Sequence, residues 1–263
     1  MTSLTLAVLL GIIEGLTEFL PISSTGHLII AEHLLGFTGP RAETFAIVIQ
    51  LGAILAVLVL YRGTFWSLVR PTRERFSGVY GIFLLMLTTF PPALLGLLTH
   101  SYIKEFLFSP KTVAAALIAG AIGILAVEFS GIRPKIFHRN ALHPGTALGI
   151  GCFQCLALWP GFSRSAATIM GGLVLGVERK VATEYSFLAA VPLMCAATGY
   201  DLLKNWHLFS GDAALMLCVG FGVAFLAALV AIRGFIHIVS RFSFQPFAWY
   251  RLALAPVVLW YFW

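Results

Sequence analysis

The sequence predicts an all-α, polytopic helical membrane protein that forms a single transmembrane domain over residues 1–263. Of the 263 residues, 59% are hydrophobic and only 11% are charged. A soluble domain carries about 25% charged residues, so this chain lacks the polar surface that water requires. Its apolar runs are long and unbroken rather than alternating, which favours helices over a closed barrel as the membrane structure.

Six segments are long enough, or nearly so, to cross about 30 Å of hydrocarbon as helices. They lie near residues 45–61, 80–98, 112–129, 184–203, 214–236 and 247–262. Two other apolar regions are interrupted: 4–36 has a break at PISSTG (21–26), and 145–177 has a break at PGFSRS (160–165). Each arm is too short to span the bilayer, so each region is predicted to be a re-entrant hairpin that enters and leaves on one side.

The order of these segments predicts an inverted repeat. A hairpin and three spans are followed by a second hairpin and three spans, and three crossings place the second half on the opposite side. Pseudo-repeats 1–140 and 141–263 are therefore inverted, with hairpin tips that meet near the midplane, a pattern that marks a binding site. Local spacing agrees: Gly11-x-x-Glu14 precedes Pro21, and Gly151-x-x-Gln154 precedes Pro160, with a gap of one residue.

The net charge of +6 does not indicate nucleic acid, because the basic residues lie in short connections between apolar runs. One predicted face has four of them, Arg41, Lys104, Lys111 and Lys204. The other has twelve: Arg62, Arg70, Arg73, Arg75, Arg133, Lys135, Arg139, Arg179, Lys180, Arg233, Arg241 and Arg251. The rich face is predicted to be cytoplasmic. Both termini then lie outside, and the first hairpin enters from the outer face.

The first interrupted region carries acids and hydroxyls. Glu14 and Glu18 are four residues apart and share one face of a helix; carboxylates inside an apolar segment are costly and usually face a functional cavity. His27 and three hydroxyls follow, those of Ser23, Ser24 and Thr25. A hydroxyl beside a histidine and a glutamate has the parts of an activated nucleophile. Ser23 or Ser24 is also suited to cap the helix that follows.

The second break carries a positive charge and hydrogen-bond donors, which complement these acids. Gly161 permits close backbone approach, and the next helix begins with side chains suited to hold an anion: Ser163, Arg164, Ser165 and Thr168. Free N–H groups at a helix start, hydroxyls and a guanidinium together describe an anion cradle. An arginine inside a membrane hairpin needs a negative partner, which is either a bound anion or a glutamate of the first region.

The segments GIIEGLTEFLPISSTGH and PGFSRSAAT resemble the two signature segments of the bacterial undecaprenyl-pyrophosphate phosphatases of the bacitracin-resistance type, and the resemblance extends over essentially the whole chain. It implies hydrolysis of the C55 isoprenyl pyrophosphate to the monophosphate and inorganic phosphate, which recycles the carrier lipid for cell-wall synthesis. It also implies a bacterial inner (plasma) membrane location with the site on the outer side. The positions that match the family's essential residues are Glu14, Glu18, Ser24, His27, Ser163, Arg164 and Thr168, with Ser23 and Ser165 as flanking serines.

The expected reaction starts with attack of Ser24 on the terminal phosphorus, with Glu18 or His27 accepting its proton; His27 as the nucleophile is the open alternative. Arg164 is expected to hold phosphate oxygens in bidentate fashion. The helpers expected in phosphate binding are Ser23, Thr25, Ser163, Ser165 and Thr168. Glu14 and Glu18 would repel a diphosphate, so either a divalent cation, Mg²⁺ or Ca²⁺, bridges them to the phosphate or one of them is protonated.

Two other functions fit parts of the pattern. A lipid-phosphate flippase or ion-coupled transporter would use the same inverted-repeat site. The membrane acid-phosphatase superfamily would need a second histidine and an aspartate after the Ser-Arg pair, and no histidine occurs between Arg164 and His207. The expected partners are the isoprenyl pyrophosphate lipid and the bilayer, with no nucleic acid; a homodimer is left open.

Overall fold

The computed structural model describes residues 3–107, 109–205 and 212–262, and the long elements in these ranges are helices. Short 3-10 or π turns lie at Ile103–Leu107, Arg139–Ala141 and Cys155–Leu158. The α-helices are α1 (Ser3–Thr17), α2 (Ser24–Leu34), α3 (Pro40–Leu60), α4 (Arg62–Val69), α5 (Gly78–Tyr102), α6 (Pro110–Phe129), α7 (Pro144–Gln154), α8 (Arg164–Val174), α9 (Arg179–Asn205), α10 (Asp212–Val239) and α11 (Gln245–Tyr261). The predicted class, a polytopic helical membrane protein, is confirmed.

Five predicted spans are confirmed as helices long and apolar enough to cross a membrane. They are Pro40–Leu60, Gly78–Thr99, Pro110–Phe129, Arg179–Gly199 and Ala214–Val239. Four of these helices begin two to five residues before the predicted span, because their first turn is helical but is not part of the apolar run. Pro40 and Pro110 open two of these helices, since proline lacks the N–H that a first turn cannot pair in any case.

The sixth predicted span forms α11, a helix of 17 residues with Pro256 inside it. At about 1.5 Å per residue such a helix is about 25 Å long, short of the roughly 30 Å hydrocarbon core. A sixth crossing therefore stays a prediction. The longer helices have an exposed apolar surface of the kind that suits lipid, for example at Val79 and Leu97, which are 83% and 81% exposed.

Both predicted interruptions are present. Helix α1 ends at Thr17 and α2 begins at Ser24, while α7 passes into a 3-10 turn that ends at Leu158 before α8 begins at Arg164. We call residues 18–23 the first break and residues 159–163 the second break. Their re-entrant course through the membrane stays a prediction.

Close helix packing brings the two breaks into the middle of the bundle. Helix α1 packs on α10 and α3, α7 packs on α5, and α6 packs on α11 and α8. Glycines allow the tightest approaches: a Cβ on Gly11 would lie 2.7 Å from the Gly220 carbonyl oxygen, and one on Gly151 would lie 2.8 Å from that of Thr88. Small residues of this kind permit backbone contact between membrane helices.

The structure corrects the charge assignment at Arg251. Its expected place was the cytoplasmic face, but the side chain is fully buried. The guanidinium lies between the two breaks and α6, where it donates hydrogen bonds to five backbone carbonyls. The expectation was wrong because a charge count assumes that every basic residue near a helix end reaches water, whereas this arginine is satisfied by backbone oxygens inside the protein.

Candidate active site

Glu18 of the first break is hydrogen-bonded to the first residues of both helices that follow the breaks. Its Oε2 accepts a hydrogen bond from Ser24 Oγ at 2.5 Å, and its Oε1 lies 3.1 Å from Arg164 Nη2. The ion pair is largely withdrawn from solvent, with side-chain exposures of 11% for Arg164 and 7% for Glu18. A hydroxyl, a carboxylate and a guanidinium predicted from separate segments are thus brought together.

Ser24 and Arg164 occupy equivalent places, each as the first residue of the helix that follows a break. Ser23 and Ser163 precede them as helix caps, and each side-chain oxygen accepts a hydrogen bond at 3.3 Å, from the N–H of Gly26 or Ala166. Their φ angles are 71° and 79°, and no other non-glycine residue in the described ranges has a positive φ. Such strain costs of order 1–3 kcal/mol and is concentrated at functional sites. The sequence predicted a serine cap but not this conformation.

Glu14 lies one helical turn before Glu18 and is completely buried. Neither of its carboxylate oxygens has a hydrogen-bond partner among the described residues, and the charges that act on it include those of Glu18 and Arg164. Burying a carboxylate without partners is costly, so these oxygens are free to bind a ligand. No group of three or more His, Cys, Asp or Glu side chains suited to a metal occurs in the described ranges. This site therefore offers a cation two carboxylates, those of Glu14 and Glu18.

The Arg164 guanidinium is held from the other side by Ser186 of α9. Nη1 donates to the Ser186 carbonyl oxygen at 3.1 Å, and the Ser186 hydroxyl lies 2.6 Å from Thr168 Oγ1. Nε of Arg164 is buried and has no hydrogen-bond partner in the part of the chain that the structure describes. The orientation of the arginine is thus determined by Glu18 and Ser186, while two of its five N–H groups, one on Nε and one on Nη2, are left for an anion. Sequence reasoning missed Ser186, which lies in a hydrophobic span and in neither motif.

The predicted phosphate-binding hydroxyls fall into two groups. Ser23, Thr25 and Ser163 line the cleft together with Arg164. Ser165 and Thr168 are buried behind it: Ser165 Oγ donates to the Leu20 carbonyl oxygen at 2.9 Å, and Thr168 Oγ1 donates to that of Arg164 at 2.9 Å. In this arrangement Ser165 and Thr168 support the break instead of facing the cleft.

The cleft encloses about 210 Å³ and is lined by both polar and apolar residues. Its polar lining consists of Glu18, Ser23, Ser24, Thr25, Gln50, Gln154, Ser163 and Arg164; its apolar lining includes Pro92, Ala157, Leu158, Pro160, Leu193, Met194 and Ala197. Gln50 and Gln154 were not predicted. Gln154 Nε2 donates to the Thr88 carbonyl oxygen at 3.1 Å, an oxygen without its helical partner because Pro92 has no N–H. The walls suit a molecule with an anionic head and an apolar tail.

His27 is directed away from the Ser24–Glu18 pair. Its Nδ1 lies 2.7 Å from the Ser23 carbonyl oxygen, which can only accept, so Nδ1 donates; Nε2 lies 2.6 Å from the Tyr250 hydroxyl. Among the hydrogen bonds of the described residues, none joins His27 to Ser24 or Glu18. His27 therefore links Ser23 to α11, and Tyr250 is a partner that the sequence did not reveal.

Fold and site together define a polytopic membrane protein with acids, hydroxyls and a guanidinium gathered inside its helical bundle, a combination typical of phosphoryl chemistry. The chain belongs to the family described as "Bacitracin resistance protein BacA", whose model matches residues 7–257. The resemblance found in the two motifs is thereby confirmed.

Curated relatives match the whole chain. A protein of Maridesulfovibrio salexigens named undecaprenyl-diphosphatase is 60% identical over 100% of both chains. Proteins with the same name from Nitratidesulfovibrio vulgaris (strain DP4) and Oleidesulfovibrio alaskensis are 59% and 60% identical, over 99% and 98% of each chain.

Proposed function

We propose that this protein hydrolyses undecaprenyl pyrophosphate to undecaprenyl phosphate and inorganic phosphate within the membrane, which recycles the carrier lipid and gives bacitracin resistance. The observation that carries the proposal is the Ser24–Glu18–Arg164 chain in a cleft lined by both polar and apolar residues. Diphosphate cleavage needs an oriented nucleophile and stabilisation of charge on the transferred group, and this chain offers both.

In the first step Ser24 Oγ attacks the terminal phosphorus while its proton passes to Glu18 Oε2, the atom to which it already donates. An O–P bond forms at Ser24, and the bond from this phosphorus to the bridging oxygen breaks. Glu18 then gives the proton to the departing undecaprenyl phosphate. In the second step water attacks the phosphoserine, Glu18 takes the water's proton, and Ser24 regains a proton as inorganic phosphate leaves.

Arg164 supplies the positive charge for the transferred phosphoryl group. Its unpaired Nε–H and its position on the cleft wall support this role, since charge-assisted hydrogen bonds stabilise developing negative charge. Ser23, Thr25 and Ser163 add hydroxyl donors along the same wall. Ser165, Thr168 and Ser186 keep the second break and the guanidinium in place.

Glu14 and Glu18 would hold a divalent cation, Mg²⁺ or Ca²⁺. The unpartnered, fully buried oxygens of Glu14 fit this role, and a hard cation bound by two carboxylates usually completes its coordination with phosphate oxygens and water. When bound, it would neutralise charge between the carboxylates and the diphosphate. Protonation of Glu14 is the alternative that leaves the same residues in place.

We further propose that the protein lies in the bacterial inner membrane as two inverted halves, with termini and cleft on the outer side. The strained serines at both breaks support the repeat. The helix packing supports it as well: the first helix of each half packs on the second span of the other half, α1 on α10 and α7 on α5. Without Arg251, the predicted cytoplasmic face still has eleven basic residues against four. Reaction of externally added, membrane-impermeant thiol reagent with a cysteine placed at either terminus tests this orientation.

Phosphate release from purified protein in detergent micelles tests the function. Undecaprenyl pyrophosphate should yield one inorganic phosphate per undecaprenyl phosphate, with activity lost in Arg164→Ala and Glu18→Gln and kept in Arg62→Ala, an exposed arginine outside the cleft. A flippase or ion-coupled transporter needs two compartments, whereas hydrolysis does not. Movement of the lipid across proteoliposomes without any phosphate release would support the transporter and reject the enzyme.

A further inference from the structure

Arg251 of α11 uses every N–H of its guanidinium on backbone carbonyls. Nε donates to Leu117 at 3.1 Å. Nη1 donates to Phe162 at 2.8 Å and to Pro21 at 3.3 Å, and Nη2 donates to Ala116 at 3.0 Å and to Gly161 at 3.1 Å. A guanidinium has five N–H donors, so none is left for a ligand.

The five acceptors show what Arg251 connects. Pro21 belongs to the first break, Gly161 and Phe162 belong to the second, and the remaining two acceptors belong to α6. Carbonyls in the breaks lie outside helices and would be costly to bury without partners. One side chain from a third element thus satisfies backbone groups of both breaks at once.

The burial of this cation is not explained by an acidic partner. Arg251 is 0% exposed, and no salt bridge within the described residues includes it. An uncompensated charge inside a membrane bundle is expensive, so its retention points to a role beyond packing. Gly120 of α6 makes the room for it, because a Cβ there would overlap the guanidinium.

The carbonyl groups that accept hydrogen bonds from Arg251 also fix the orientation of the peptide groups to which they belong. Within the described residues every peptide bond is trans, so the N–H of Ser163 points away from the carbonyl oxygen of Phe162 and therefore away from Arg251. Ser163 lines the cleft and precedes Arg164, the first residue of α8. The position of Arg251 thus affects the backbone at the start of the anion-binding helix.

We propose that Arg251 is a positioning residue that holds the two breaks in register, so that Glu18 of the first break and Ser24 directly after it meet Arg164, which directly follows the second break. It acts through the backbone and does not touch substrate. The proposal rests on the proposed function only for its kinetic readout. A misplacement of reacting groups by about 1 Å can cost about 10²-fold in rate, so register between the breaks is a direct requirement for turnover.

Arg251→Lys is the main variant, because it keeps the charge and loses the five-donor fork. We expect kcat per folded molecule to fall about 10- to 100-fold with KM within about threefold, since the cleft walls remain while the breaks lose their register. Arg251→Met should lose more. A merely structural arginine would instead lower the yield of folded protein and leave kcat of the folded fraction unchanged.

Gly120→Ala provides an independent test, because it displaces the guanidinium without removing it. It should reduce kcat in the wild-type background and have little further effect in Arg251→Met, where the added methyl meets no guanidinium; such non-additivity is the mark of coupled sites. Gly123→Ala on the same helix is the matched control, since its Cβ would approach only the flexible Met170 side chain, at 3.2 Å.

A distance measurement separates this proposal from the proposed function. With the four free cysteines replaced by alanine, nitroxide labels at Leu34 and Leu175, next to the far ends of α2 and α8, should give a narrow distance distribution that broadens in Arg251→Met. An unchanged distribution together with unchanged kcat in the Arg251 variants would overturn the proposal. If the unaltered protein released no phosphate, the proposed function would fail while the distance data would still decide the role of Arg251.

Discussion

Nη2 of Arg164 lies 3.1 Å from Oε1 of Glu18, so this ion pair joins the first break directly to the start of α8, 146 residues further along the chain. The other oxygen of the same carboxylate accepts the Ser24 hydroxyl. Glu18 is therefore the centre of the candidate site.

Replacing Arg164 by lysine should lower kcat about 10²- to 10³-fold, the usual cost of one oriented donor to a transition state. A lysine ammonium is a point charge without the planar fork, so it cannot contact Glu18, Ser186 and a phosphate in the same geometry. Phosphate release in micelles measures the effect. Arg179→Lys is the control, because Arg179 pairs with Glu128 outside the cleft lining, and its variant should keep its activity per folded molecule. Equal losses in both variants would contradict a special role for Arg164.

A phosphorylated enzyme trapped during turnover should carry its phosphate on Ser24. The Ser24 hydroxyl already donates to a carboxylate, whereas both ring nitrogens of His27 are engaged by Ser23 and Tyr250. Acid-quenched and base-quenched samples examined by mass spectrometry locate the group, because phosphoserine survives acid and phosphohistidine does not. Ser24→Ala should abolish the adduct and His27→Gln should retain it. Phosphate on His27 would reject the serine mechanism.

Glu14→Gln should leave thermal stability in detergent unchanged or raised, although it should impair activity. A fully buried carboxylate without hydrogen bonds contributes a desolvation cost of several kcal/mol instead of stability, and an amide removes its charge. Glu128→Gln is the matched comparison: Glu128 accepts from Arg179 Nη2 at 2.8 Å and from the Phe244 N–H at 2.8 Å. Losing the charged acceptor of these two bonds should cost about 1–3 kcal/mol, less than for a fully buried pair, because the Arg179 side chain is 34% exposed. Similar losses of stability in both variants would show that Glu14 has partners.

Chelation should remove activity if Glu14 and Glu18 hold a cation. We expect excess EDTA to stop phosphate release, Mg²⁺ or Ca²⁺ to restore it, and Glu14→Gln to need a higher concentration of cation, because one carboxylate ligand is lost. Arg62→Ala, altered outside the cleft, should show the wild-type cation dependence. Full activity in excess chelator would reject the cation and favour a protonated Glu14.

Much of the fold could be predicted from the sequence because hydropathy is a local and additive property. A run of apolar residues must form a helix in lipid regardless of its neighbours, so five spans and both breaks were located correctly. The cost of ionisable groups in the membrane is equally local, and it marked Glu14, Glu18 and Arg164 as functional. The same rule could have identified Arg251, which interrupts the apolar run 247–262.

Partners across the bundle were decided by tertiary structure alone. The packing of α9 and α11 against the breaks decides three sets of contacts. Glu18 bonds both Ser24 and Arg164. Ser186 holds the guanidinium, and His27 contacts Tyr250. The strain at Ser23 and Ser163 is likewise a result of packing. The sequence by itself determined which ionisable residues carry a free-energy cost inside the membrane. Only the packed bundle determined which of them compensate one another, because hydrogen bonds require distances of about 3 Å that no linear pattern encodes.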